Sequence, residues 1–101
     1  MVKGDTALDW LTQWFENQCD CEWEHGYGVT IETLDNPGWS VKVELNGTTL
    51  DGKTFERLTH GYEHETEWWT CWTEDNQFRG AGGPQQLVPM IQCFREWAEQ
   101  A

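Results

Sequence analysis

Cys19, Cys21 and His25 are the residues whose types and spacing come nearest to metal or sulfur chemistry in this chain. Two thiols followed by an imidazole resemble a zinc half-site, three of the four ligands that a structural site needs. The C-x-C spacing is not the usual C-x₂-C knuckle, however, and Cys71 and Cys93 supply no second pair. They read instead as small core hydrophobes. No metal and no cofactor are expected, and a small metal-binding or sulfur-handling enzyme using Cys19, Cys21 and His25 is kept as the alternative. Glu24 and His25 are neighbours, so on a strand their side chains point to opposite faces and cannot act together. No nucleophile comes with a matching base. The glycines of RGAGGP lack the Lys-Ser/Thr of a phosphate loop and suit a strand-to-helix crossing better. Catalysis therefore finds little support.

Binding chemistry is better represented. Trp68, Thr70 and Trp72 alternate with Trp69, Cys71 and Thr73 on one expected strand, and both sets cannot lie under the same helices. Trp69 and Cys71 are assigned to the helix side. Trp68 and Trp72 then stand on the open face with Glu32, Glu44 and Glu67, where exposed tryptophan marks a contact surface. The bland alternative has the segment Phe55 to Glu65 folding over them. Asp20, Glu22 and Glu24 flank Trp23, and Glu63, Glu65 and Glu67 flank His64. Each cluster is either a solvated loop or a set of carboxylates for a basic partner.

Composition points the same way. Six basic residues against eighteen acidic ones give a net charge of −12, which repels nucleic acid and anionic membrane and favours a basic partner. A chain of 101 residues is read as one domain, 1–101, with a modest core. Its eight tryptophans offset a hydrophobic content of 38%. MVKGDTALDW has no apolar leader pattern, and no apolar run approaches the ~20 residues that span a bilayer. A cytoplasmic protein with reduced cysteines is expected.

The elements that must position these residues follow from periodicity. Thr6 opens a helix that ends near Asn17 to Cys19, with Leu8, Leu11, Phe15 and Gln18 as its inner stripe, Trp14 at the edge of that stripe, and Trp10 pointing outward. Gly26–Leu34 and Trp39–Leu45 alternate as an antiparallel pair. Asn36-Pro37-Gly38-Trp39 joins them as a type II turn that needs positive φ at Gly38. Asn46-Gly47 predicts a type I′ hairpin with a short return strand at Thr48–Leu50. Phe55–His60 is a further strand. Glu67–Thr73 and Phe78–Gly80 are joined by Glu74 to Gln77. Pro84 suits the first position of a helix, but Pro89 conflicts with an unbroken run from there. The helix proper is therefore placed from about Val88, with Leu87, Met90, Ile91, Phe94 and Trp97 as its stripe. The result is α+β: two layers, an antiparallel sheet of four to five strands with an N-terminal and a C-terminal helix on one face.

WEHGYG, IETLDNPGWSVK, EDNQFRGAGGP and the closing FREWA also resemble the immunity protein 53 family, over about Leu8 to Trp97. Two positions depart from the expected pattern: Cys21, where glycine or another small residue is expected, and Pro89. The resemblance implies a bacterial immunity protein, without catalysis, that binds and neutralises a cognate toxin of a polymorphic toxin system. Together with the charge it implies a basic toxin, such as a nuclease, blocked by occlusion. The partner-binding residues would be Trp68, Trp72, Glu32, Glu44, Glu67, Asp20, Glu22 and Glu24. No nucleic acid and no membrane are expected as partners. A self-associating structural domain, a homodimer burying Trp68 and Trp72, is the remaining alternative.

Overall fold

Thr6 caps the first helix as its sequence predicts: its Oγ1 accepts the amide of Asp9 at 3.0 Å, satisfying one of the donors a helix start leaves open. The computed structural model describes residues 6–61 and 63–101, so the first half of the MVKGDTALDW stretch, on which the leader reading rests, lies outside them. Helix α1 spans Ala7–Gln18 and is followed by a short helix, α2, Trp23–Gly26. Strands β1 Val29–Leu34, β2 Gly38–Glu44, β3 Leu58–His60, β4 Trp69–Glu74 and β5 Gln77–Gly82 follow, and helix α3, Leu87–Gln100, comes last. The sheet has the order β1-β2-β5-β4-β3, antiparallel throughout. The fold is α+β: five antiparallel strands with an N-terminal and a C-terminal helix.

The core lies between the sheet and the two long helices. Val41, Val43, Cys71 and Phe78 come from the sheet, Leu11 and Trp14 from α1, and Met90, Ile91 and Phe94 from α3. Phe78 is fully buried and has the Phe94 ring at 4.9 Å and the Phe55 ring at 5.8 Å. Of the expected α3 stripe Met90, Ile91 and Phe94 are buried, together with Cys93, and Leu87 and Trp97 pack against the core partly buried. Pro89 falls in the first turn of α3, where no helical carbonyl awaits its missing N–H. Pro84 is not a helix start. It stands in a turn whose closing bond runs from the Gln86 amide to the Gly83 carbonyl at 3.0 Å.

Four local expectations are corrected. The inner face of α1 is Ala7, Leu11 and Trp14, while Leu8 and Phe15 are 49% and 36% exposed. The large Trp14 ring takes the core position edge-on to Phe94 at 5.1 Å, which turns the helix away from the Leu8–Phe15 stripe. Trp10 faces inward enough to meet Phe94 at 5.7 Å. Leu8 and Phe15 instead line a groove with Val29 and Ile31 beside the edge strand β1.

The second correction concerns Gly38. It does not have positive φ and so is no turn residue. It pairs with Leu34 as the first residue of β2, and Asp35, Asn36 and Pro37 make the turn. Glycine is needed there for space: a Cβ would collide with the Gly82 carbonyl oxygen of the neighbouring strand.

Third, Asn46-Gly47 does not start a hairpin. Only Gly47 has positive φ, whereas a type I′ turn needs it at both central residues. Thr48–Leu50 forms turns instead of a return strand. Thr48 Oγ1 donates to the Leu45 carbonyl at 2.8 Å and accepts the Leu50 amide at 3.0 Å, folding Leu50 into the core. The pair with positive φ at both residues is Asp75-Asn76, φ 54° and 59°, between β4 and β5.

Last, the Asp20–Glu24 cluster is more than a solvated loop. Trp23 is buried in α2 and its indole N–H donates to the Asn46 carbonyl at 2.7 Å.

Gly38→Ala is expected to lower stability by about 1–3 kcal/mol through overpacking, read as the urea midpoint. Because alanine tolerates the backbone angles of a strand, an unchanged midpoint would show that β2 and β5 do not approach so closely.

Candidate functional site

The sheet face turned away from the helices is built by strand parity. With Phe78, Gly80 and Cys71 facing the core, Gln77, Arg79 and Ala81 of β5 and Thr70, Trp72 and Glu74 of β4 face outward. The two-residue hairpin at Asp75-Asn76 sets Glu74 opposite Gln77, and therefore Trp72 opposite Arg79. Arg79 in turn lies opposite Lys42, and Lys42 opposite Thr30. One row across the sheet thus reads Thr30, Lys42, Arg79, Trp72. A shallow groove of about 250 Å³ runs along it, bordered also by Glu32 and Ser40.

Trp72 is half-buried and held on both sides. Its indole N–H donates to Glu74 Oε1 at 3.0 Å. The Arg57 guanidinium lies over its ring, 4.2 Å from the centroid, and donates to Thr70 Oγ1 at 3.2 Å. A guanidinium stacked on indole is attracted by the ring's quadrupole. Arg79 donates from Nε and Nη2 to Gln77 Oε1 at 2.9 and 2.7 Å, and reaches Glu74 and Asp75 at 3.8 Å each. Glu44 accepts from Gln77 Nε2 through both oxygens, at 3.0 and 3.1 Å.

The structure therefore brings Trp72, Glu32 and Glu44 onto one face, with Trp69 and Cys71 on the other, as the alternation requires. Trp68 and Glu67 precede β4; Trp68 is half-buried, its carbonyl accepting the Gly83 amide at 2.8 Å, and Glu67 borders a separate hollow with Thr66, Pro84 and Gln85. Among the described residues of the segment before β4, Arg57 lies over Trp72, while Phe55 packs on the core side against Phe78 and Trp97. Lys42, Arg57 and Arg79 are the members of this face that the acid-and-tryptophan reading missed. The signal for Arg79 was available: a two-residue turn at Asp75-Asn76 fixes its place opposite Trp72.

Asp20, Glu22 and Glu24 lie elsewhere, between α1 and β1. Asp20 Oδ1 accepts the Glu22 and Trp23 amides at 3.0 and 2.8 Å. Glu24 accepts the Asp20 and Cys21 amides at 3.0 and 2.9 Å. Two of the three carboxylates thus brace the turn that carries Trp23 into the core. Glu24 and His25 sit in helix α2, not on a strand. The Cys19 thiol donates to the Phe15 carbonyl at 3.4 Å and is pushed up by desolvation and by nearby Glu24, Glu16 and Asp20, which disfavours the thiolate a metal would need. Cys21 is exposed, with φ 77°. Among the described residues no group of three or more His, Cys, Asp and Glu is placed to hold a metal ion. The Cys71 thiol is pushed far up by its hydrogen bond with Cys93 and by burial, as for an inert core thiol. No described helix is long and apolar enough to cross a membrane.

The fold and this face define a small acidic α+β domain with a structured outer sheet face. The chain belongs to the immunity protein 53 family, whose model matches residues 8–99, in agreement with the resemblance of its motifs. No curated protein and no solved structure gives a significant match.

Two predictions concern the Asp20–Glu24 turn. The Trp23 and Glu22 amides hold the Asp20 carboxyl below its ordinary range. A depressed folded value means that its contribution is complete above the unfolded value of about 3.9 and is lost as pH falls through the folded one. In Asp20→Asn, which keeps an oxygen for both amides, the urea midpoint should fall less steeply between about pH 5 and pH 2; an unaltered slope would show that the amides do not favour the charged form. Cys21→Gly should raise stability by about 1 kcal/mol, because glycine adopts φ 77° without the Cβ penalty. A lowered midpoint would contradict the left-handed backbone there.

Proposed function

We propose that this protein is the immunity component of a polymorphic toxin system: cytoplasmic, without catalytic activity, and acting by stoichiometric binding to a cognate toxin. The whole chain serves as one binding domain. The toxin is basic, a nuclease by the charge argument, and its active surface is occluded.

The observation that carries this reading is the Trp72 face, within a family of immunity proteins. A half-buried tryptophan stacked under Arg57, on the sheet face away from both long helices, is the type of side chain that anchors interfaces. Around it Glu32 and Glu44 supply carboxylates. Trp68 and Glu67 extend the contact at the start of β4, and Asp20, Glu22 and Glu24 add a second acidic region. The net charge of −12 draws in a basic partner over longer range, raising the association rate more than the final affinity.

The test is growth rescue. Bacteria expressing the toxin domain encoded beside this chain should survive only when the chain is co-expressed, and the two proteins should co-purify in equal amounts. Trp72→Ala is expected to keep the fold and weaken binding by about 2 kcal/mol or more. Trp69→Ala, on the core side, should lower the melting midpoint instead. Charge reversal at Glu32 or Glu44 should slow association and flatten its salt dependence. The reading fails if the chain neither rescues growth nor binds, and the Trp72 assignment fails if Trp72→Ala binds as the parent does.

A further inference from the structure

We propose that the open-face groove receives a carboxylate of the toxin, an Asp or Glu side chain that pairs with Lys42 in the row that ends at Trp72. The contact of this acidic protein then includes an ion pair of inverted sign. The proposal rests on the toxin-binding reading above and names one of its contacts.

The distribution of basic residues carries the argument. The chain has only six, against eighteen acidic ones, yet Lys42, Arg57 and Arg79 gather on one sheet face. Lys42 and Arg79 are directly opposed on adjacent strands, and like charges at that spacing destabilise a sheet. Arg79 has relief, because it turns towards Glu74 and Asp75 at 3.8 Å. Lys42 forms no ion pair or side-chain hydrogen bond among the described residues, although it borders the same groove as Glu32 and is partly buried. Glu44, two residues along the strand, has both oxygens engaged by Gln77. Among the described residues Arg57 likewise has no carboxylate partner and is set instead on the Trp72 ring and Thr70. In a chain so rich in acids, a cation left unneutralised among the described residues at the groove, with a second stacked on the Trp72 of its wall, marks a place for an incoming anion.

Charge also decides the source of that anion. A polyanion such as nucleic acid would be repelled by the net −12. A lone carboxylate on an otherwise basic protein is not, because long-range attraction between the two proteins is kept. Such an inverted pair would fix the orientation of the complex and reject basic proteins that lack the matching acid.

The test uses the toxin domain that the chain silences in the growth-rescue experiment, with affinity measured by calorimetry. Lys42→Glu should weaken binding about tenfold or more, while its urea midpoint stays level or rises because the opposed cations are gone. Lys42→Met keeps the stem and should weaken binding about threefold or more, which preserves the test if Lys42→Glu does not fold. Replacing each acidic residue of the toxin's contact surface by Lys in turn should yield one variant that restores binding to Lys42→Glu. If this face acts by acidity alone, Lys42→Glu binds the basic toxin more tightly, and that result overturns the proposal. Unchanged affinity in both variants, or no restoring partner, overturns it as well. Failure of the parent protein to bind the toxin would instead strike the reading on which the proposal stands.

Discussion

The central strand β5 has little side-chain bulk on its helix side, and much of the architecture depends on that. Its core-facing positions are Phe78, Gly80 and Gly82. Phe78 supplies the volume at one end of the sandwich. At Gly80 a Cβ would stand 3.1 Å from Met90 Sδ and 3.3 Å from Cys71 Sγ, so α3 settles onto the sheet because that atom is missing. At Gly82 the crowding comes from the start of β4 and from Gln86. A larger residue at either position would lift the helix, and interiors packed as densely as proteins are cannot absorb such a change without cost.

The same strand sets the outer face. With Phe78, Gly80 and Gly82 committed inward, Gln77, Arg79 and Ala81 must point outward. Arg79 is central to the row that ends at Trp72, and Gln77 links it to Glu44. Packing on one side thus dictates which charges appear on the other. A one-residue slip at Asp75-Asn76 would place the core set on the surface, which ties the binding face to the type I′ turn.

Asn76 connects that turn to the rest of the chain. Its Nδ2 donates to Asn46 Oδ1 and to Asp51 Oδ1, both at 2.9 Å, and its Oδ1 accepts the Gly52 amide at 2.8 Å. The turn of β4 and β5 and the irregular segment after β2 are therefore joined side by side. That segment closes one end of the core with Leu45 and Leu50, both almost wholly buried. The Trp23 indole donates to the Asn46 carbonyl, drawing the α1–β1 connection into the same corner.

Periodicity and turn chemistry alone determined the α+β class, both long helices to within a residue or two, and most strand positions. They also placed Trp69 and Cys71 opposite Trp72, because alternation along a strand is a local rule. The motifs were enough for family membership. Tertiary structure decided what locality cannot express. Leu8 and Phe15 versus Ala7 and Trp14, on either side of the shared Leu11, is a choice between two adjacent apolar stripes, settled by which ring fits against Phe94. Gly38 looked like a turn residue, yet its need for glycine comes from Gly82, distant in sequence but on the adjacent strand. Asn46-Gly47 has stronger hairpin chemistry than Asp75-Asn76, yet burial of Leu50 held the chain in turns and left no partner for a return strand. The gathering of Lys42, Arg57 and Arg79 comes from three strands or their approaches, brought side by side by the strand order. A charge count sees six bases among eighteen acids; only the register of the sheet puts two of those bases face to face.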